Sequence, residues 1–221
     1  RKAQTLAEYS VDETLKKILS MNVAESMDKI AGTEFQNSDV FYTPTSTTAG
    51  TLDKDGTVST GAGASITSAH IRDIIRNLKT DNVPKWDGNS YLGIFSPFAM
   101  AKLFEDTASG SIVDLHKYDQ PENLINGEIG QYFGMRMIEE NNVLSNTIGG
   151  SSHNGEAIVC GFEPVVEVLA QPETTMVESW DFGRFTGVAW NALTGFKKVW
   201  TNSTDGEYHM LRIHSNDYGG K

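Results

Sequence analysis

Residues 71–97 read IRDIIRNLKTDNVPKWDGNSYLGIFSP, and this stretch is the most informative part of the sequence about the fold. Isoleucine and leucine recur at helical spacing between residues 71 and 78, with charged side chains on the other face. The pattern predicts an amphipathic helix over 67–81, capped by Thr67 and ended by the Val83-Pro84 pair. The Asp87-Gly88 pair that follows is typical of a turn.

Helices and strands continue to alternate after this turn. The apolar run at 91–95 predicts a buried strand. Ser96 followed by Pro97 is a typical helix start, so a short helix is predicted over 98–105. Further strands are predicted at 132–139, 157–160 and 165–169. The middle of the chain is therefore predicted to be a compact α/β lobe, and the chain as a whole is predicted to belong to the α+β class.

The two ends of the chain predict elongated elements instead. Apolar residues at helical spacing from Val11 to Ile30, followed by Gly32, predict a surface helix of about 20 residues, roughly 30 Å long. Residues 185–200 lack proline and are rich in aromatic and β-branched side chains, which predicts one long strand with 207–215 as its partner. Elements of this length cannot bury their surface inside 221 residues, so we expect them to overlap neighbouring copies of the chain.

Composition excludes several classes of protein. The net charge is −11, with 18 basic against 29 acidic residues and no cluster of Lys and Arg, so sequence-specific nucleic-acid binding is not expected. No apolar stretch approaches the length of about 18 residues that spans a membrane, and no signal peptide is visible. Hydrophobic residues make up 38% of the chain, which is typical of a globular protein.

Residues that could carry chemistry are few. Cys160 is the only cysteine and lies in an apolar run, which predicts a buried core residue. The five histidines do not have metal-ligand spacing, so no metal, cofactor or catalytic site is predicted. The Gly150-Ser151-Ser152-His153 segment lacks the last glycine of a nucleophile elbow. A small hydrolase that uses Ser152 and His153 stays open as the enzyme alternative.

Several segments together resemble one family. They are the helix at 71–79, the NVPKWDG loop at 82–88, the strand and helix start at 91–97, YDQPE at 118–122, NGEIG at 126–130 and GMRMIE at 134–139. In order and spacing these segments resemble the major capsid proteins of tailed phages. The resemblance is closest to the coat family typified by podophage N4.

The resemblance implies an HK97-type fold with two lobes. Residues 67–170 would form a compact axial lobe, and 1–66 and 171–221 an elongated peripheral lobe with a spine helix at about 11–31 and a long β-hairpin. The family also carries an N-terminal arm and an extended loop before the spine helix, whereas nine residues precede Ser10 here. The contacts of that loop, covalent crosslinks included, are therefore not assigned.

The resemblance also implies a function. The chain is expected to be a non-enzymatic major capsid protein that assembles as pentamers and hexamers into an icosahedral shell around the genome of a double-stranded DNA phage. Its location would be the virion, with the host cytoplasm during assembly, and scaffolding, decoration and portal proteins are further candidate partners. A shell protein of an encapsulin-like compartment is the alternative within the same fold.

Four residues are candidates for contacts between subunits: Trp86, Asp87, Tyr118 and Arg136. Each also has an ordinary interpretation, respectively a packed tryptophan, a turn aspartate, a surface tyrosine and a solvated arginine. The sequence favours the ordinary interpretations.

Overall fold

A computed structural model describes residues 11–56, 64–108, 110–112, 128–140, 155–182, 185–200 and 208–216. These ranges contain three helices, α1 Val11–Phe35, α2 Ser68–Thr80 and α3 Pro97–Glu105. The strands in them are β1 Phe41–Pro44, β2 Gly50–Asp53, β3 Tyr91–Phe95, β4 Glu128–Tyr132, β5 Met135–Glu139, β6 Gly155–Cys160, β7 Val165–Trp180, β8 Phe185–Lys198 and β9 Met210–Ser215.

Seven strands form one mixed sheet in the order β2-β1-β9-β6-β3-β5-β4. The β1–β9 and β3–β5 pairs are parallel, and the other pairs are antiparallel. This confirms the predicted α+β class. The sheet takes β1, β2 and β9 from the two ends of the chain and the rest from its middle. The lobe divisions at 66/67 and 170/171 stay a prediction.

The inner face of the sheet carries the main core. Helices α2 and α3 contribute the isoleucine and leucine face that the sequence predicts, including Ile71, Ile74 and Leu103, all fully buried. Tyr91 and Phe95 of β3 pack in the same cluster. Because residues of a strand alternate between faces, their neighbours Leu92 and Ile94 point the other way.

The outer face carries a smaller apolar cluster and a buried ion pair. Ile158, Cys160 and Met210 form the cluster, against which Phe35 at the end of α1 and Val165 at the start of β7 pack. Cys160 is fully buried, as the sequence predicts. These contacts attach α1 and the β7–β8 hairpin to the back of the sheet.

Several predicted boundaries differ from those in the structure. Helix α1 continues past Gly32 to Phe35, because the Gly32 carbonyl still accepts the Gln36 amide at 2.9 Å. The predicted strand at 132–139 is a hairpin, since Phe133 and Gly134 have φ angles of 53° and 90°, the left-handed pair that a two-residue hairpin turn requires.

The partner of the long strand is also different from the prediction. β8 pairs antiparallel with β7 from Val165↔Lys198 to Trp180↔Phe185, not with residues 207–215. Strand β9 instead joins the main sheet between β1 and β6. The sequence places a short strand at 165–169, because polar residues and Pro172 interrupt the apolar pattern beyond it. The ladder accommodates that interruption through two register shifts, one between Leu169 and Gln171 and one between Gln171 and Thr174.

Helix α1 and the β7–β8 hairpin run alongside each other, and we call them together the helix–hairpin arm. Trp190 Nε1 donates to Asn22 Oδ1 at 3.2 Å, and the Lys198 amide donates to Glu34 Oε2 at 3.3 Å. Lys198 Nζ also donates to Asp39 Oδ2 at 2.7 Å. The 25 residues of α1 make it about 37 Å long. None of the helices described here is long and apolar enough to cross a membrane.

Ser96 links α3 to the sheet, and we expect its replacement by alanine to destabilise the fold by about 1–2 kcal/mol. Its buried hydroxyl accepts the Ala99 amide at 3.3 Å, as a helix cap, and the Glu156 amide at 3.2 Å. Ser96→Ala leaves both amides without this acceptor. Urea unfolding measures the loss, with Ser20→Ala on the exposed face of α1 as the control. Equal stability of the two variants would contradict the double role of Ser96.

Candidate functional site

The solvent-facing side of the hairpin is unusually apolar. One side of β8 packs on α1 through residues such as Trp190 and Thr194, which are partly buried. The opposite side of the hairpin carries five large apolar side chains that are between 46% and 62% exposed: Val166, Val168, Met176, Trp180 and Leu193. A two-stranded hairpin is marginal in water by itself, and an apolar patch of this kind marks an interaction surface.

Helix α1 leaves apolar side chains exposed as well. Its half-buried stripe includes Leu19, Val23 and Met27. Leu15, Ile18 and Met21 are 46%, 58% and 65% exposed. The helix–hairpin arm therefore has more apolar surface than its own packing covers.

An aromatic pocket lies at the base of the hairpin, where the arm meets the sheet. Its volume is about 340 Å³, and it is lined by Phe35, Trp86, Phe162, Glu163, Pro164 and Val165. Trp86 is 40% exposed and Phe162 is 45% exposed, so the walls are open to solvent. A concave apolar surface with one carboxylate at its edge can bind an apolar or aromatic group.

Backbone hydrogen bonds hold the pocket in place. The Phe162 amide donates to the Pro84 carbonyl at 3.1 Å, which joins the hairpin base to the loop that carries Trp86. The Val199 amide donates to the Pro164 carbonyl at 3.1 Å, and Trp200 Nε1 donates to the Glu163 carbonyl at 3.1 Å. Three separate segments therefore form one rigid base.

A second groove lies between the two parts of the arm. It has a volume of about 290 Å³ and is lined by Lys16, Leu19, Ser20 and Val23 of α1 and by Glu173 and Thr175 of β7. The four α1 residues repeat at helical spacing, so they form a single face. This groove adds to the exposed apolar surface along the arm.

Asp87 and Arg136, two of the predicted contact residues, lie together within the chain. Asp87 accepts hydrogen bonds from the amides of Ser90 at 2.6 Å and Asn89 at 2.8 Å, and Arg136 Nη1 lies 3.6 Å from Asp87 Oδ2. The amides of Ser90 and Asn89 lower the pKa of Asp87 to about 2, with a smaller contribution from Arg136. Asp87 therefore stabilises its own turn, as its ordinary interpretation predicts, and its role between subunits stays a prediction.

Of the other candidate residues from the sequence, the structure describes Trp86 alone. Trp86 is exposed and lines the aromatic pocket. Tyr118, Ser152 and His153 lie outside the described residues. The contact role of Trp86 and Tyr118 remains a prediction.

Two side chains of potentially reactive types, His70 and Cys160, have structural surroundings. His70 Nδ1 accepts the Thr67 amide at 3.0 Å and Nε2 lies 2.9 Å from the Ser46 carbonyl, so its ring fastens the start of α2. Burial raises the pKa of the Cys160 thiol to about 12, which keeps it unreactive. Within the described ranges, no group of three or more His, Cys, Asp or Glu side chains can hold a metal ion.

Sequence reasoning missed most of the pocket. Phe35, Phe162 and Val165 come from the end of α1 and from the hairpin base, and Trp86 comes from the loop after α2. No spacing rule connects such distant segments. The one local signal is the Gly161-Phe162-Glu163-Pro164 sequence, whose glycine and proline are typical of a turn.

Comparisons with known proteins find solved structures with a similar fold. No protein-family model and no curated protein matches the sequence. The capsid of Ralstonia phage GP4 matches with a TM-score of 0.72 and 16% identity, over 100% of this chain and 71% of that chain.

Two further solved structures agree with this likeness. The cyanophage Pam1 capsid matches with a TM-score of 0.69 and 17% identity, over 99% of this chain and 73% of that one. The head of Helicobacter pylori bacteriophage KHP40 matches with a TM-score of 0.63 and 13% identity, over 94% and 69%. The chain therefore has the fold of phage capsid proteins.

Proposed function

We propose that this chain is a major capsid protein that assembles with copies of itself into the shell of a tailed phage. The observation that carries the proposal is the helix–hairpin arm, whose hairpin shows an apolar face to solvent although the sheet already has a complete core. An exposed apolar surface of this kind is stabilised by packing against another protein. When that protein is a second copy of the same chain, the contact repeats and an assembly forms. The role is structural rather than enzymatic.

The likeness in fold to capsids of several phages supports this proposal. In an HK97-type arrangement, the seven-stranded sheet with α2 and α3 would be the axial lobe, and the helix–hairpin arm the peripheral lobe. The lobe boundaries would then follow the sheet, so that β1, β2 and β9 belong to the axial lobe. Pentamers and hexamers, accessory head proteins and a place in the virion are parts of the same proposal.

Electron microscopy of the purified chain, combined with sedimentation velocity, tests the proposal. Closed shells, or rings of five and six subunits, are expected as the protein concentration rises. A protein that stays monomeric at high concentration, with the circular dichroism of a folded α+β chain, would contradict it.

Trp86→Ala is expected to lower the yield of assembled particles far more than it lowers the stability of the subunit. The indole is 40% exposed, so its removal leaves little cavity in the core, but it deletes a wall of the aromatic pocket. We expect a loss of at most about 1 kcal/mol in unfolding free energy and at least tenfold fewer particles. Phe98→Ala is the matched control, because Phe98 is 44% exposed on α3, outside the arm. Equal loss of folding and assembly would identify Trp86 as a core residue instead.

A further inference from the structure

Two apolar features lie at opposite ends of the hairpin. At the tip, Trp180 and Phe182 are 54% and 106% exposed. At the base is the aromatic pocket of about 340 Å³. The 16 residues of β7 separate them by about 50 Å at roughly 3.3 Å per residue. The tip of one subunit therefore cannot reach the pocket of the same subunit.

The tip presents Phe182 rather than Trp180. Asp181 and Phe182 have φ angles of 52° and 51°, left-handed values at which the chain turns sharply, and the phenyl ring of Phe182 is fully exposed. Trp180 instead lies against β8, where a Cβ added at Gly187 would be 2.8 Å from its indole. Among the described residues of the tip, Phe182 is thus a projecting ring beside an indole that packs on the strand.

The pocket matches such a ring in size and chemistry. Its volume is near the lower end of small-molecule sites, which span about 300–1,000 Å³, so it can hold one aromatic side chain but not a helix. Its aromatic walls suit edge-to-face contact with a phenyl ring.

We propose that Phe182, at the hairpin tip of one subunit, inserts into the aromatic pocket of a neighbouring subunit. The proposal rests on the proposed shell function, and the occupant to which it commits is a second copy of this chain. A projection and a pocket on different surfaces of one chain make a head-to-tail contact, which closes into a ring when it is repeated by rotation. The apolar face of the hairpin would then lie along the same neighbour.

Crosslinking between two introduced cysteines tests the contact. The only native cysteine, Cys160, is fully buried, so it does not compete for reagent. Asp181→Cys places a thiol next to Phe182, and Glu163→Cys places one at the pocket edge without removing an apolar wall. A short bismaleimide reagent applied to assembled particles of the double variant is expected to give a ladder of linked multimers. Each single variant is expected to give dimers at most, and Asp181→Cys with Phe98→Cys is the control pair.

A third substitution shows whether Phe182 itself makes the contact. Phe182→Ser, added to the double variant, is expected to reduce linkage about tenfold or more, since an aromatic anchor in a pocket carries much of a contact's affinity. Phe182→Tyr is expected to keep most of the linkage. Crosslinking of the double variant that is no stronger than that of the control pair would overturn the proposal. Crosslinking that Phe182→Ser leaves unchanged would also overturn it, because another group would then fill the pocket. If microscopy finds no particles or rings at all, the proposed function fails and this contact fails with it.

Discussion

Arg212→Met is expected to lower the free energy of unfolding by about 3–5 kcal/mol, a large fraction of the 5–15 kcal/mol typical of a domain. Glu156 is fully buried, and Arg212 Nε donates to its Oε1 at 2.5 Å. Arg212 Nη1 also donates to the Gln36 carbonyl at 2.7 Å, which ties the end of α1 to the sheet. The substitution leaves a buried carboxylate without its cation. Urea unfolding followed by circular dichroism measures the loss.

The double variant Glu156→Leu with Arg212→Met is the matched control. Because two apolar side chains can replace a buried ion pair at little net cost, we expect this variant to recover much of the lost stability. A single variant that loses less than about 1 kcal/mol, or a double variant as unstable as the single one, would contradict the assigned role of the pair.

The second large effect is a loss of folding stability at acidic pH. The His214 ring is 3% exposed and packs on Phe41 at a centroid distance of 5.2 Å, and its Nε2 has no hydrogen-bond partner within the described part of the chain. Burial, together with the positive charge of Arg212, lowers the pKa of His214 from 6.5 to about 4. Above pH 6.5 the ring is neutral in both the folded and the unfolded chain, so it has no effect on stability.

Below that pH the His214 ring binds a proton in the unfolded chain, whereas in the folded chain the buried ring stays neutral. Stability is therefore expected to fall by about 1.4 kcal/mol per pH unit, to a total of about 3 kcal/mol near pH 4. His214→Phe keeps an aromatic ring against Phe41 and removes this loss. Burial also lowers the pKa of His70, so the difference between the wild-type and variant pH profiles isolates His214. Parallel profiles between pH 7 and 4 would refute the prediction.

Local patterns predicted most of the sheet region. The helix at 68–80, the Ser96 cap, the strand at 91–95 and residues 157–160 of β6 follow from spacing, capping and apolar runs, all of which act within a few residues. Pairing across the chain was less predictable. Strand β9 looks like a partner for β8 in sequence, yet in the fold it pairs with β6 and β1, because which strands meet depends on the whole core.

The site was less predictable than the fold. The sequence singled out Trp86, which lines the pocket, and Asp87 and Arg136, which meet within one subunit. It could not show that Phe35 and Phe162 complete the pocket, because these residues are 127 positions apart and meet only through the contacts of α1 with the back of the sheet. Contacts between subunits are even harder to predict from the sequence, since exposed apolar residues are common in any protein.

Hydrogen exchange, compared between assembled particles and dissociated subunits, tests the role of the helix–hairpin arm most directly. If the arm is the assembly surface, the amides of 165–198 and of α1 should exchange much more slowly in the particles. The amides of α2 and β3, already buried in the subunit core, should change little. Equal exchange of the arm in both states, or protection gained only in the sheet region, would contradict the account.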